Sequence, residues 1–258
     1  MAKTLRLTLV NPDPSAGRWD AIAAAVVEWA DAQGVALRDA IVLLPFAQLL
    51  PLARTAFARS GGWMPRIETT KTLAASLGPA VPAEPTQISF DATIDALSAA
   101  VLLRSQPWGA AWARRDRRGF DQATRAMMLT AHEMVRAASA LPPAERSGHW
   151  HLAREAMSPT SGPGATESLL ARVALEWAAL APARATDRLF GLANVSAWIA
   201  VRAGGEDSLT TRLMADSTAP GLLIDTDVTP EDPFGALLVA HPPSFAVCDG
   251  FEDEAQSA

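Results

Sequence analysis

The sequence has few of the residues that build disulfide-linked, metal-bound or membrane-embedded proteins. Its 258 residues include one cysteine, Cys248, which excludes an internal disulfide and a zinc site with several thiolates. No apolar run approaches the roughly eighteen residues of a membrane span. The start MAKTLRLTLV also lacks the long apolar stretch and cleavage site of a signal peptide. We therefore expect a cytoplasmic protein with no membrane partner.

Basic residues are also in the minority, because the formal net charge is −6. This balance argues against a surface coated for nucleic acid, although it permits a local basic groove on an acidic body. The pair His149 and His151 diverges on a helix, so one metal ion cannot easily bind both. No Ser/His/Asp set or paired carboxylate follows from spacing. We predict no catalytic residue, metal or cofactor in this chain.

Strands and helices alternate along the first part of the chain. Apolar runs at residues 5–10, 40–45 and 63–69 read as strands, and the segments between them repeat their apolar residues at helical spacing. Gly34 stands where the first helix should end. Strand–helix alternation is typical of a parallel sheet with right-handed crossovers. We expect an α/β fold with a mainly parallel, Rossmann-like sheet flanked by helices.

The pattern changes after a proline-rich connector. Residues 89–184 contain several helical runs and no convincing strand, whereas strand character resumes at residues 186–195 and 221–226 around a likely crossover helix, EDSLTTRLMADS. We therefore predict an all-helical subdomain inserted into the sheet domain. The expected boundaries are 1–85 for the first part of the α/β domain, 86–184 for the insertion, 185–240 for the second part and 241–258 for a following segment. The ending inside that segment suggests a fragment of a longer protein.

The loop NPDPSAGRW follows the first strand, where many α/β proteins bind phosphate. Aligned on a phosphate loop, it has Arg18 at the lysine position and Trp19 at the position of the magnesium-binding hydroxyl. Prolines replace flexible, donor-bearing residues. We interpret Ser15, Gly17, Arg18 and Trp19 as a degenerate phosphate loop. A structural turn is favoured over a weak anion site and over a working nucleotide site.

The strand-like run LLIDTD contains the acidic counterpart of such a loop. Asp225 stands where a nucleotide-hydrolysing enzyme holds its magnesium ion, so it is a degenerate magnesium-site position if the loop is inactive. Acidic residues at a strand end are also common turn formers. The turn interpretation is favoured.

Arginines concentrate in the segment ARRDRRGFDQATR, beside aromatic residues. Guanidinium groups pair with phosphates, and aromatic rings stack on bases, in proteins that bind single strands. A solvated helix end is the competing interpretation. The DNA-binding candidates are Arg114, Arg115, Arg117, Arg118 and Arg125.

Several segments resemble one family in their order. The stretch DAIVLLPFAQLLPLARTAFARSGGWMPRIETTKTL, then LFGLANVSAW, LTTRLMADSTAPGLLIDTD and the final FEDEAQ are similar to the amino-terminal region of AddB-like proteins, the helicase-like nuclease subunits of bacterial double-strand-break repair. The resemblance implies that the sheet is of the phosphate-loop helicase type and belongs to an inactivated helicase-like domain with a helical insertion. It also implies that the full-length protein is a nuclease whose catalytic centre lies downstream of this chain.

On this resemblance, we expect a non-catalytic scaffold. Its partners would be DNA, bound weakly in isolation, and either a helicase partner subunit or the remainder of its own chain. Two alternatives stay open, namely an active phosphate-loop ATP-dependent DNA helicase domain and a pure protein-interaction module. Nucleotide binding distinguishes the first alternative, and salt-dependent DNA binding distinguishes the second.

Overall fold

The computed structural model describes residues 4–8, 17–79, 81–157, 164–202 and 207–226. Five strands in these ranges form one parallel sheet with the spatial order β1-β5-β4-β2-β3. The strands are β1 (Thr4–Thr8), β2 (Ala40–Leu43), β3 (Arg66–Glu68), β4 (Ala197–Arg202) and β5 (Gly221–Asp225). The prediction of an α/β fold with a parallel sheet is confirmed.

Helices and short 3₁₀ turns make up the connections. The helices are α1 (Arg18–Gln33), α2 (Leu50–Arg59), α3 (Thr70–Ser76), α4 (Ala92–Ser105), α5 (Gly109–Arg115), α6 (Arg117–Ser139), α7 (Arg146–Ala156), α8 (Ala165–Ala179) and α9 (Ser208–Asp216). The 3₁₀ turns are Leu37–Asp39, Ala47–Leu49, Pro143–Glu145 and Ala185–Gly191. Gly34 ends α1 in the left-handed conformation with φ 65°, as its position predicts.

Helices cover both faces of the sheet, because alternate strand residues point to opposite sides. Val42 and Ile199 pack with α1 and α2 on one face. Leu43 and Trp198 pack on the other face with α3, α9 and the 3₁₀ turn Ala185–Gly191. Burial on both faces explains why β2 is a continuous apolar run.

Helices α4 to α8 follow β3 and precede β4 in the chain, and they share a separate hydrophobic core. Helix α6 is central, since its buried Phe120, Met127 and Val135 face α4, α5 and α8. The described residues of the predicted helical segment, 89–157 and 164–184, contain no strand. The helical character predicted for this segment is confirmed over those ranges.

Helix α5 begins at Gly109, a position where the backbone of α4 leaves no space for a side chain. A Cβ atom at this position would lie 1.8 Å from the carbonyl oxygen of Leu103, in the last turn of α4. A glycine at this position lets the start of α5 lie against the last turn of α4.

The strand predicted at residues 186–195 is wrong. Residues Ala185–Gly191 form the 3₁₀ turn, and the fourth strand begins only at Ala197. The side chain of Leu189 is buried against the sheet face formed by Trp198 and Leu43, so this segment covers the sheet instead of joining it. The crossover helix predicted between the last two strands is confirmed as α9.

Candidate functional site

Of the degenerate phosphate loop, Ser15 lies outside the described residues, and the other three residues lie within them. Gly17 precedes α1, and Arg18, the first residue of the helix, is exposed to solvent. Trp19 is half-buried and packs against the core between α1, α2 and the sheet. The residue at the position of a magnesium-binding hydroxyl therefore has a packing role.

Asp225 lies at the carboxyl end of β5, next to the ends of two neighbouring strands. It is in register with Thr8 of β1 and with Arg202 of β4. Its carboxylate lies 3.7 Å from the guanidinium of Arg202. The strand before the degenerate loop and the acidic strand are adjacent in the sheet, because β1 pairs with β5. The described contact of Asp225 is an ion pair with an arginine.

The arginine cluster, defined as Arg114, Arg115, Arg117, Arg118 and Arg125, spans the end of α5 and the start of α6. All five residues are exposed, and none forms an ion pair with a residue in the described ranges. Arg118 and Arg125 are seven residues apart on α6 and share one helix face, about 10 Å apart along the axis. These two arginines therefore present positive charge on one face of α6.

The aromatic residues beside the arginine cluster serve the helical core. Phe120 is 1% exposed. Trp112 lies edge-to-face with it at 6.1 Å between ring centroids, and the Arg104 guanidinium lies 5.1 Å from its centroid. Trp108 is half-buried and packs on Trp112. Base stacking on Phe120 is therefore excluded by burial, and the arginines are left as the DNA-contacting candidates.

A buried carboxylate that the sequence analysis did not single out joins the connector before α4 to α6. Asp95 is 0% exposed. It accepts hydrogen bonds from the backbone N–H and hydroxyl of Ser89 at 2.9 and 2.8 Å and from the N–H of Phe90 at 2.8 Å. His132 Nε2 lies 2.7 Å from Oδ2, the carboxylate oxygen that also accepts from Phe90. The spacing of Asp95 with buried Ala99 and Leu103 was the available signal, since all three lie on one face of α4.

Hydrogen bonding determines the charge state of this carboxylate. Burial pushes the pKa of Asp95 upward, but the hydrogen bonds from Ser89, His132 and Phe90 outweigh it and lower the pKa below its usual value. Ser89 and His132 bond to the carboxylate and not to each other in this arrangement. The cluster is therefore a structural link, and it lacks the serine–histidine contact of a nucleophilic triad.

An apolar groove runs between α4 and α8, which both pack against α6. Its volume is about 660 Å³. Leu97 and Val101 on one wall are each 66% exposed, and Leu180 on the other is 63% exposed. Trp177 lines the groove and donates its indole N–H to the carbonyl of Thr86. Exposed apolar side chains in a concave surface are typical of a contact site for another protein segment.

Two further observations concern metal binding and membrane-spanning helices. The described ranges contain no group of three or more His, Cys, Asp or Glu side chains that could hold a metal ion. Among the helices in those ranges, none combines the length and the apolar character needed to cross a membrane.

No family model, curated protein or solved structure matches the chain.

Proposed function

We propose that this chain is a non-catalytic, helicase-like scaffold of an AddB-type helicase-nuclease, which contributes DNA and partner contacts in recombinational repair. The parallel sheet would be the inactivated phosphate-loop helicase-like domain, and helices α4 to α8 would be its inserted subdomain. The order of segments in the sequence supports the family. The exposed arginine cluster is the observation that carries the DNA-binding part of the proposal.

The stability of α6 does not account for the arginine cluster. Arg117 and Arg118 lie in the first turn of α6, at the positive end of the helix dipole, where a cation costs about 0.3–1 kcal/mol. Asp116 caps this end by accepting the N–H of Gly119 at 2.9 Å, so its carboxylate already serves the helix. Neither cation forms an ion pair with a described residue, so both are available to an external anionic partner.

Two contacts support a non-catalytic role for the sheet. Trp19 packs in the core beside α1, and Asp225 is paired with Arg202. A nucleotide-hydrolysing site needs a hydroxyl and a carboxylate at these places to ligate magnesium. Both positions are used for packing or charge pairing in this protein.

The test is a titration of labelled single- and double-stranded DNA against salt concentration. We expect weak binding that falls with salt and is reduced when Arg114, Arg115, Arg117 and Arg118 are changed together to Ala. Each lost phosphate contact flattens the slope of log affinity against log salt by roughly 0.7 to 0.9, so four contacts flatten it by about 3.

The matched control removes four arginines from exposed ion pairs elsewhere: Arg38, Arg59, Arg154 and Arg212. This variant has the same net charge as the cluster variant, so it separates a local contact from a general charge effect. Equal loss of binding in both variants would contradict a specific role for the arginine cluster. Unchanged binding in the cluster variant would place the DNA contact elsewhere on the chain.

A second candidate function is a pure protein-interaction module, which the α4–α8 groove favours. The exposed Leu97, Val101 and Leu180 would cover an apolar helix face of a partner. The same titration separates the two candidates, because an interaction module shows no salt-dependent DNA binding at low ionic strength.

A further inference from the structure

A second cavity lies where the helical segment meets the carboxyl edge of the sheet. Its volume is about 560 Å³. The first residues of α3 and α9, which follow β3 and β4, form one side, and the last turns of α6 with the 3₁₀ turn Ala185–Gly191 form the other. Open parallel sheets bind ligands outside the carboxyl ends of their strands. The cavity therefore lies where this architecture places binding sites.

Arg184 is a half-buried guanidinium in the cavity wall without a hydrogen-bonding partner for its side chain in the described ranges. Its carbon Cζ lies 4.1 Å from the ring centroid of Phe90, so one face of the guanidinium is covered. Stacking uses the face and leaves the N–H donors at the edge available. The side chain is thus held in place while its donors remain available to a ligand.

The carboxylate beside Arg184 is already bound by another arginine. Asp187 accepts two hydrogen bonds from the Arg146 guanidinium, at 2.5 and 2.8 Å, and one from the backbone N–H of Arg184. Burial lowers the pKa of Arg184, and Arg136 and Arg146 lower it further against the opposing effect of Asp187. Burial is the main cause of the lowered pKa, and a bound anion would favour the charged form of this guanidinium.

The remaining lining contains an exposed lysine and two carboxylates. Lys71 is exposed at the cavity and forms no ion pair with a described residue. Of the two carboxylates in the lining, Glu133 is paired with Arg136, and Asp207 caps α9 by accepting from Leu209 N–H at 3.2 Å. The lining thus holds three cations and two carboxylates, a net charge of +1, and its cations Arg184 and Lys71 form no ion pair with a described residue.

The carboxyl end of α6 would normally repel an anion at this place. Arg146 offsets this effect, because its guanidinium donates to the carbonyl oxygens of Ala138, Ser139 and Leu141 at 3.0 to 3.4 Å. The hydroxyl-bearing residues Thr70, Thr186 and Ser208 also line the cavity, whereas the Ser139 hydroxyl already donates to the carbonyl of Val135 at 2.6 Å. An anion with several acceptor oxygens therefore meets donors from both sides.

We infer that this cavity binds a phosphomonoester group, with Arg184 and Lys71 supplying the charge that balances the dianion. A phosphomonoester carries close to two negative charges near neutral pH and three acceptor oxygens, which match two unpaired cations and the surrounding hydroxyls. This site uses neither the arginine cluster nor the degenerate loop, so it does not rest on the proposed DNA-binding function.

The test is calorimetry of the full chain with inorganic phosphate at low salt. We expect wild type to bind and both Arg184→Gln and Lys71→Gln to bind about tenfold more weakly or worse, since each loses a charge-assisted hydrogen bond. If Arg184→Gln lowers the unfolding midpoint, Lys71→Gln still tests the site. Lys71 is exposed, so its replacement leaves packing intact. The control is Arg154→Gln, which removes the same charge from an exposed pair on α7 and should bind like wild type.

A comparison of two oligonucleotides of one sequence identifies the source of the phosphate. If the ligand is a DNA end, a 5′-phosphorylated strand should outcompete inorganic phosphate, whereas the 5′-hydroxyl strand should not. If the ligand is a small metabolite, a nucleoside monophosphate should compete with inorganic phosphate, and neither oligonucleotide should do so. Equal binding of phosphate by wild type, Arg184→Gln and Lys71→Gln, or no binding by wild type, would overturn the inference. Retained phosphate binding in the cluster variant separates this site from the DNA surface.

Discussion

Replacing Asp95 by Asn tests whether the buried carboxylate holds the helical core in place. The change keeps size and shape but substitutes an NH₂ donor for one acceptor oxygen. One carboxylate oxygen accepts from Ser89 and the other from Phe90, with His132 Nε2 also on the second oxygen. Whichever way the amide is oriented, its NH₂ group faces a backbone N–H that has lost its acceptor.

An unsatisfied buried donor costs about 1–3 kcal/mol, and the loss of charge-assisted bonds adds to this. We therefore expect Asp95→Asn to lower the free energy of unfolding by about 2–4 kcal/mol. For a chain of this size that corresponds to a fall in the unfolding midpoint of roughly 4–16 °C. Circular dichroism during thermal and urea unfolding measures both quantities.

The matched control is Asp91→Asn, four residues earlier. Asp91 is exposed and caps α4 by accepting from the N–H groups of Thr93 and Ile94 at 2.9 and 3.0 Å. Asn is as good a cap as Asp, so this variant should unfold near the wild-type midpoint. If Asp95→Asn and Asp91→Asn unfold at the same temperature, the argument for the buried link is refuted.

The same residue predicts a dependence on acid. Because the folded pKa of Asp95 lies below its usual value of 3.8, its ionised form stabilises the folded state above that value. This contribution is lost as the pH falls below about 4 toward the folded pKa. Wild type should therefore lose stability more steeply than Asp95→Asn in this range. Parallel acid-unfolding curves would refute the assignment.

Three further predictions concern packing, charge and nucleotide binding. Gly109→Ala should destabilise by at least about 2 kcal/mol, because its Cβ would overlap the Leu103 carbonyl, and an unfolding midpoint like that of wild type would contradict the close approach. Arg146→Ala should cost about 3 kcal/mol in urea unfolding, because it leaves Asp187 and three carbonyls without their donor, whereas Arg154→Ala should change the midpoint little. Calorimetry with ATP and magnesium should detect no micromolar binding, even after Arg18→Lys with Trp19→Thr, and any turnover that vanishes in Arg18→Ala would promote the hydrolase alternative.

The sequence predicts strands well where both faces of the sheet are covered. The run AIVL of β2 is apolar throughout because helices pack on each side. The same criterion misplaced the fourth strand, since LFGLANV and AWIAVR are both apolar and only one pairs with β2 and β5. The choice between them depends on partners distant in the chain, which local periodicity does not contain.

In the candidate sites, too, local features could be predicted from the sequence, whereas contacts between distant residues could not. Exposure of the arginine cluster follows from its charge, and the structure confirms it. The burial of Phe120 was not predictable from the arginines beside it in the sequence. Its spacing with Met127 and Ala131 nevertheless places it on the buried face of α6. The contact of Asp95 with His132 joins residues 37 positions apart, so it depends on how α4 packs against α6.

The strand order has a consequence for synthesis of the protein on the ribosome. Of the five described strands, β1 is made first and β5 last, but β1 lies at the edge of the described sheet and pairs there only with β5. At about 5–20 residues per second, roughly 200 intervening residues take about 10–40 s to translate. Helices α4 to α8 are complete well before that time, and their core contains no strand residue. The nascent chain therefore exposes an unpaired amino-terminal strand until residues 221–225 emerge, and any product that stops before them leaves β1 without its neighbour.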